Sequence, residues 1–438
     1  MIVTPAHGQW GGFSQEPQLR AAGFSRVDIE TFLPFKRAGK NGDTCCAYQK
    51  KVKPGDTHDS KYEYGITLWR EDPLPLYKIP SPKVPPVNTN PGPEYADKAR
   101  VYQGTPTIEC APNGRLWATW YSGGTGEGYL NYIMLYTSGD GGNTWSDVKL
   151  VIDPDGEGPL RATEPVVWLD PSGRLWLIWN QYPLGLAGPD SETWAIVTDD
   201  PNSENPTWSA PKLVGYPNMN CTCKPTALSD GTWVWPGSSF FVPVKSRPIL
   251  SKDQGANFTA GGELSIEDKY RDWQEYYVTE LKNGTLWATI RTQYGMGESF
   301  SKDKGKTWTA IKPCGSITHV PARHFIGRLK SGKLLLVKHG TIKERVKRRE
   351  RLMAMLSDDD GKTWSDGLLL DERAGIATPD CTQSPDGTIT LIYDRNRHTD
   401  KEILMATFTE EDVAQGKCVT DKARLRVIVN KAQGKAHN

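Results

Sequence analysis

The chain has no run of 18 or more apolar residues, so it holds no helical membrane span. Its first residues, MIVTPAHGQWGG, have neither a basic leader nor an apolar h-region. They give export no support; localisation is left open, with the cytoplasm allowed and no membrane partner expected. An excess of basic charge is missing too: 53 Lys and Arg face 52 Asp and Glu, which argues against a nucleic-acid partner. Nucleotide and metal motifs are equally absent. GGTGEG at 123–128 lacks the strand–helix setting of a dinucleotide fold, and DPDGEG at 153–158 is too short for an EF-hand. Eight cysteines stand at 45, 46, 110, 221, 223, 314, 381 and 418, without zinc-ribbon spacing. Reduced thiols account for them more simply than a disulfide framework. No cofactor and no metal are expected.

What the chain has in quantity is turn formers and aromatics: 43 Gly, 32 Pro, 16 Trp, 17 Tyr and 10 Phe. That mixture suits short strands with many turns. SGDGGNTW at 138–145, SKDKGKTW at 301–308 and SDDDGKTW at 357–364 repeat one motif, S-x-D-x-G-x-T-W. SKDQGANF at 251–258 is a decayed fourth copy, and TDDPNSENPTW at 198–208 a degraded turn of the same kind. In each, Asp can accept hydrogen bonds from the turn, Gly can take positive φ, and the aromatic can pack beneath. These aspartates are structural.

A second pattern places an apolar strand, a Gly-containing turn and an aromatic strand before each such region. TIECAPNGRLWATWY from 107, VVWLDPSGRLWLIWN from 166 and YVTELKNGTLWATIR from 277 are examples. Six recurrences predict an all-β, six-bladed β-propeller of four-stranded antiparallel blades. The expected blades are 101–155, 161–213, 218–266, 270–315, 318–371 and 376–430, with RLRVIVN at 424–430 closing the ring. Two regions are expected: 1–95 as an N-terminal wrap or linker, and 96–438 as the propeller.

These boxes and their spacing resemble the BNR or Asp-box superfamily, especially sialidase-like proteins, over roughly residues 100–420. The resemblance implies a sugar ligand, an arginine triad for a carboxylate, a Tyr–Glu nucleophilic pair and an acidic acid/base. Glu275 and Arg291, at the two ends of a hairpin in QEYYVTELKNGTLWATIR, match the glutamate that supports the nucleophile and one triad arginine. An internal salt bridge accounts for the same pair. Arg349, among Arg345, Lys347, Arg348 and Arg351, resembles another triad member, or belongs to a solvated basic loop. Arg323, near His319 and His324, is a further candidate pocket cation.

Elsewhere the pattern departs. Where the first arginine belongs, RVYQGTPTI offers Tyr102 and Gln103, so Gln103 is taken as a substrate contact and Arg161 as a replacement charge. Glu127 lies in the loop that carries the sialidase acid/base, and serves as a general acid if a closed pocket raises its pKa. The nucleophilic tyrosine has no clean match; Asp380 is the nearest acid, and Tyr393 lies on a later strand.

The resulting expectation is a glycoside hydrolase acting on an acidic sugar of a glycan. Glu127 is its acid, Asp380 its base or nucleophile, and Glu275 orients them. Arg291 and Arg349 bind the anion, with Gln103, Arg161 and Arg323 nearby. A lyase or rhamnosidase-like enzyme would draw instead on His319, His324, His339, Tyr393 or His398. A noncatalytic glycan-binding propeller would stack sugars on Trp69, Trp120, Trp179 or Trp273. Oligomeric partners are not specified by the sequence.

Overall fold

The computed structural model describes residues 84–435 apart from 129, 157–159, 184–190, 216–218 and 240–245. It divides into two units, Met1–Ser81 and Pro82–Asn438. In the first, only the strand segments Ile2–Val3, Ser25–Val27, Ala47–Gln49 and Ile66–Thr67 are described, paired in one antiparallel sheet. Most of the expected N-terminal wrap, with Trp69, Cys45 and Cys46, lies outside the described residues. Its final part is described: Asn88 exchanges two backbone hydrogen bonds with Val151 on the outer strand of blade 1.

The second unit is a six-bladed propeller of antiparallel blades around a central axis. The blades span 103–152, 160–214, 220–260, 276–313, 325–374 and 376–431, each boundary within seven residues of the one the repeat predicts. Blade 3 alone has a broken inner strand, Asn220–Cys221 and Thr226–Ala227. Arg424–Lys431 is the outer strand of blade 6, paired with Glu402–Phe408. Ring closure rests on contacts between blades 6 and 1 instead, such as Ile108 N–H donating to Asp380 at 2.9 Å.

The aromatics fill the space between blades. Trp117, Trp120, Trp176, Trp179, Trp233 and Trp235 are fully or almost fully buried, and Trp120 stacks on Tyr136 with ring centroids 4.3 Å apart. Trp120 and Trp179 are therefore core residues, not sugar platforms. The described cysteines are free thiols.

The repeated turns join the third and fourth strands at one end of the propeller. In the first, the Ser138 hydroxyl donates to Asp140 at 2.8 Å and accepts from Gly142 N–H at 2.9 Å. Asp140 also accepts from the Thr144 N–H and hydroxyl. The same bonds recur around Asp303 and Asp359, and around Asp253 with Asn257 Nδ2 in place of the threonine hydroxyl; the glycine sits at φ 82–84° in all four. Blade 6 replaces the box with the short helix Glu410–Gln415, held by a reciprocal Thr409–Asp412 cap.

Loops between the second and third strands open at the opposite end, where the inner strands begin. That end gathers charge. Removing a box carboxylate acts far from it: Asp359→Ala is expected to lower the calorimetric unfolding midpoint by about 1–4 °C. An unchanged midpoint would mean that the turn contributes nothing to stability.

Candidate functional site

Alternation along the inner strands is interrupted at the open end. Thr105, Glu164 and Thr378 take φ of 57°, 49° and 45°, beside register shifts in blades 1, 2 and 6. Such bulges re-aim side chains. Here they turn Thr105, Glu164 and Thr378 into one axial pocket. Its lining includes five arginines, 161, 291, 323, 349 and 397, and three glutamates, 127, 164 and 275. Half-buried Trp273 completes one wall.

Glu275 is the electrostatic centre of the pocket. Its Oε1 accepts from Arg323 Nε at 3.0 Å and its Oε2 from Arg291 Nη1 at 2.8 Å. Arg291 Nε also donates to Asp272 at 2.8 Å, and Arg323 Nη2 to Glu164. Burial pushes the Glu275 carboxyl up, but Arg323 and Arg291 overcome it and hold the group well below the usual range.

Two further carboxylates are driven apart. Burial raises Glu164, the neighbouring charges of Glu275 and Glu127 add to the rise, and Arg323 does not cancel it. Glu127 sits in loop 123–131, which is held by Asn131 Nδ2 donating to the Gly123 and Gly126 carbonyls. Its Oε1 accepts from the Tyr121 hydroxyl and from Arg397 Nη1, each at 2.9 Å. Burial favours the neutral form, but Arg397, Arg161 and Tyr121 outweigh it, so Glu127 lies below its ordinary value. The expected raised pKa is thus found on Glu164 and not on Glu127.

Arg349 differs from its neighbours. Among the described residues no hydrogen bond or ion pair engages its guanidinium. Burial and repulsion from Arg291 and Arg397 pull it down to about 10. A cation left this way is receptive to an anion.

Six sequence candidates, Glu127, Arg161, Glu275, Arg291, Arg323 and Arg349, therefore share one pocket. Gln103 does not join them. It is fully buried, accepting from Trp120 Nε1 at 3.1 Å and donating to the Lys401 carbonyl at 2.7 Å. Asp380 is also displaced, because the register shift that admits Thr378 sets it deeper on the axis. There Oδ2 meets Lys224 Nζ at 3.1 Å and Ile108 N–H, and burial raises the carboxyl to about 6. Neither residue lines the pocket, so neither keeps the place the sequence suggested.

His319, His324 and His339 are buried behind the pocket, and burial lowers the last two to about 3. Tyr393 is buried and donates to Asp371 at 3.0 Å. His398 is exposed, with Nδ1 3.3 Å from the Thr125 carbonyl of the loop that carries Glu127. Glu164 and Arg397 were missed. Simple alternation from Arg161 turns Glu164 away until the bulge is known, and Arg397 lies in an irregular loop.

A larger cavity, about 630 Å³ against about 120 Å³, lies between the outer edges of blades 1 and 2. Its one ion pair, Lys149–Glu204, is on the surface. The buried charge marks the axial pocket as the chemical one.

Blades and pocket together define a sialidase-like BNR propeller. The chain belongs to the BNR repeat-like domain family, whose model matches residues 114–391. It is similar in structure to the Hadza microbial sialidase Hz136, at 19% identity and TM-score 0.59, covering 72% of this chain and 67% of that one. The intramolecular trans-sialidase of Ruminococcus gnavus is 14% identical, with TM-score 0.57 and coverage of 72% and 95%. The leech intramolecular trans-sialidase is also 14% identical, with TM-score 0.58 and coverage of 74% and 70%. These likenesses are of fold. Comparison with curated proteins gave no match.

Removing Glu275 leaves two buried guanidinium groups without their shared partner. Glu275→Ala is expected to cost about 3–5 kcal/mol in urea unfolding at neutral pH. Because the folded pKa is depressed, the Glu275 contribution is present above its ordinary value of 4.5 and is lost as pH falls below it. The difference between wild type and variant should therefore shrink in acid; a constant difference would contradict an ionic role.

Proposed function

We propose that this propeller hydrolyses a glycosidic bond of an acidic sugar within a glycan. The observation that carries the reading is Arg349: a cation with no hydrogen bond or ion pair among the described residues, beside Arg291 and Arg397, in a pocket with two oppositely shifted carboxylates. An anionic sugar group supplies the partner that Arg349 lacks. Arg291 and Arg397 lend additional positive potential from their fixed positions.

Two carboxyl groups then divide the proton chemistry. Glu164, raised and reached by solvent on one side, protonates the leaving oxygen. Ionised Glu127, 38% exposed, activates water or attacks the sugar carbon. Glu275 is a positioning residue that fixes Arg291 and Arg323. Trp273 offers an apolar wall for a sugar face. This replaces the assignment of Glu127 as acid and Asp380 as its counterpart.

The test is turnover of sialyl, uronyl and neutral glycosides, with reducing ends and absorbance near 235 nm followed separately. The expected result is new reducing ends from an acidic glycoside without unsaturated product. An unsaturated uronate would replace hydrolysis by elimination, and binding without turnover would favour a glycan-binding propeller. Glu164→Gln is expected to lower kcat by about 10²–10⁴-fold, and Arg349→Ala to lower kcat/KM for the acidic glycoside by about 10–100-fold. Activity should fall in acid as Glu127 takes a proton and fall toward higher pH as Glu164 loses one. A rate independent of pH would contradict this pairing.

A further inference from the structure

Arg397 enters the pocket through a gap made by sequence. Gly104 lies beneath its side chain, and a Cβ at 104 would stand 2.6 Å from Arg397 Cδ and Nε. The guanidinium is anchored behind this gap by Asp394, which accepts from Nε at 2.7 Å and Nη2 at 3.1 Å. Nη2 also lies 3.3 Å from the Thr378 hydroxyl. Only Nη1 points forward, and it is spent on Glu127 at 2.9 Å. The two partners differ in mobility of attachment: Arg397 is forked onto a buried aspartate, whereas Glu127 rides on a glycine-rich surface loop and is 38% exposed.

We infer that the Arg397–Glu127 ion pair is a latch opened by the anionic group of the substrate, with Gly104 as the residue that permits it. The inference rests on the acidic-sugar reading above. An anion held by Arg349 competes with Glu127 for Arg397 Nη1, and Glu127 is the partner that moves because Asp394 holds Arg397 in place. Once unpaired, Glu127 becomes a stronger base. A neutral sugar leaves the pair closed, so the latch selects substrates by charge as well as by binding.

Glu127 is faced by Arg397 from blade 6, Arg161 and Glu164 from blade 2, Tyr102 and Tyr121 from blade 1, and Glu275 from blade 4. His398 lies against the same loop. Loss of the Arg397 contact leaves burial and two carboxylates opposing ionisation, with Arg161 and Tyr121 still favouring it. Anion binding should therefore be linked to proton uptake.

Calorimetric titration with D-glucuronate and N-acetylneuraminate, at pH 5 in buffers of different ionisation heat, reads that uptake without requiring turnover. The expected result is net uptake of up to about one proton per anion bound, abolished in Glu127→Gln. In Gly104→Ala, where the new Cβ pushes Arg397 off Glu127, uptake should fall to less than about half. The Glu127→Gln comparison stands alone if the alanine variant does not fold. Binding without proton uptake, or uptake that survives Glu127→Gln, would overturn the latch and leave the acidic-sugar reading intact. Binding of neither anion would overturn both.

Discussion

Two guanidinium groups share the carboxylate of Glu275, and the pocket depends on that sharing. Arg323 and Arg291 are only 4% and 10% exposed in their side chains, too dry to be kept charged without a partner. One carboxylate from the start of blade 4 reaches both. Asp272 and Glu164 then satisfy their outer nitrogens, which fixes both planes around the axis. With that pair locked, Arg349 and Arg397 can be added without collapse of the site, and the lining keeps more arginines than glutamates. The proposed anion preference rests on this arrangement rather than on net charge, which is near zero for the chain.

The two ends of the propeller carry different burdens. At the box end, local hydrogen bonds within eight-residue turns close each blade. At the open end, three inner strands hold non-glycine residues at positive φ, at about 1–3 kcal/mol each. Two of them are β-branched threonines, for which this conformation is unusual. On the inner strands the strain lies where the bulges deliver Thr105, Glu164 and Thr378 to the pocket, whereas Gln254, Lys304 and Asp360 take positive φ within the box turns. The tryptophan-filled interfaces between blades supply the rigid frame that can tolerate it.

The architecture was legible because its signal is local. A box of eight residues fixes a turn by spacing alone, and six recurrences set the number of blades. Site residues at strand ends and in the loops were also reachable: Glu275 and Arg291 belong to one hairpin, and Arg161, Arg323, Arg349 and Glu127 flank recognisable strands. Asp380 and Gln103 failed for a different reason. A one-residue bulge decides which side chain of an inner strand meets the pocket, and composition does not encode that shift. Nor does sequence reveal that an arginine near 397 passes over a glycine at 104, since the contact exists only after blades 6 and 1 meet. The opposite shifts of Glu127 and Glu164 likewise arise from neighbours contributed by several blades.

On the proposed reading, the axial pocket receives an acidic sugar through Arg349. The most direct measurement is a crystal structure of the protein with a bound acidic monosaccharide. The sugar's anionic group is expected within hydrogen-bond distance of Arg349, on the side facing Arg291 and Arg397, with the ring between Glu127 and Glu164. An anion seated away from Arg349, or a sugar bound only in the cavity between the outer edges of blades 1 and 2, would contradict it.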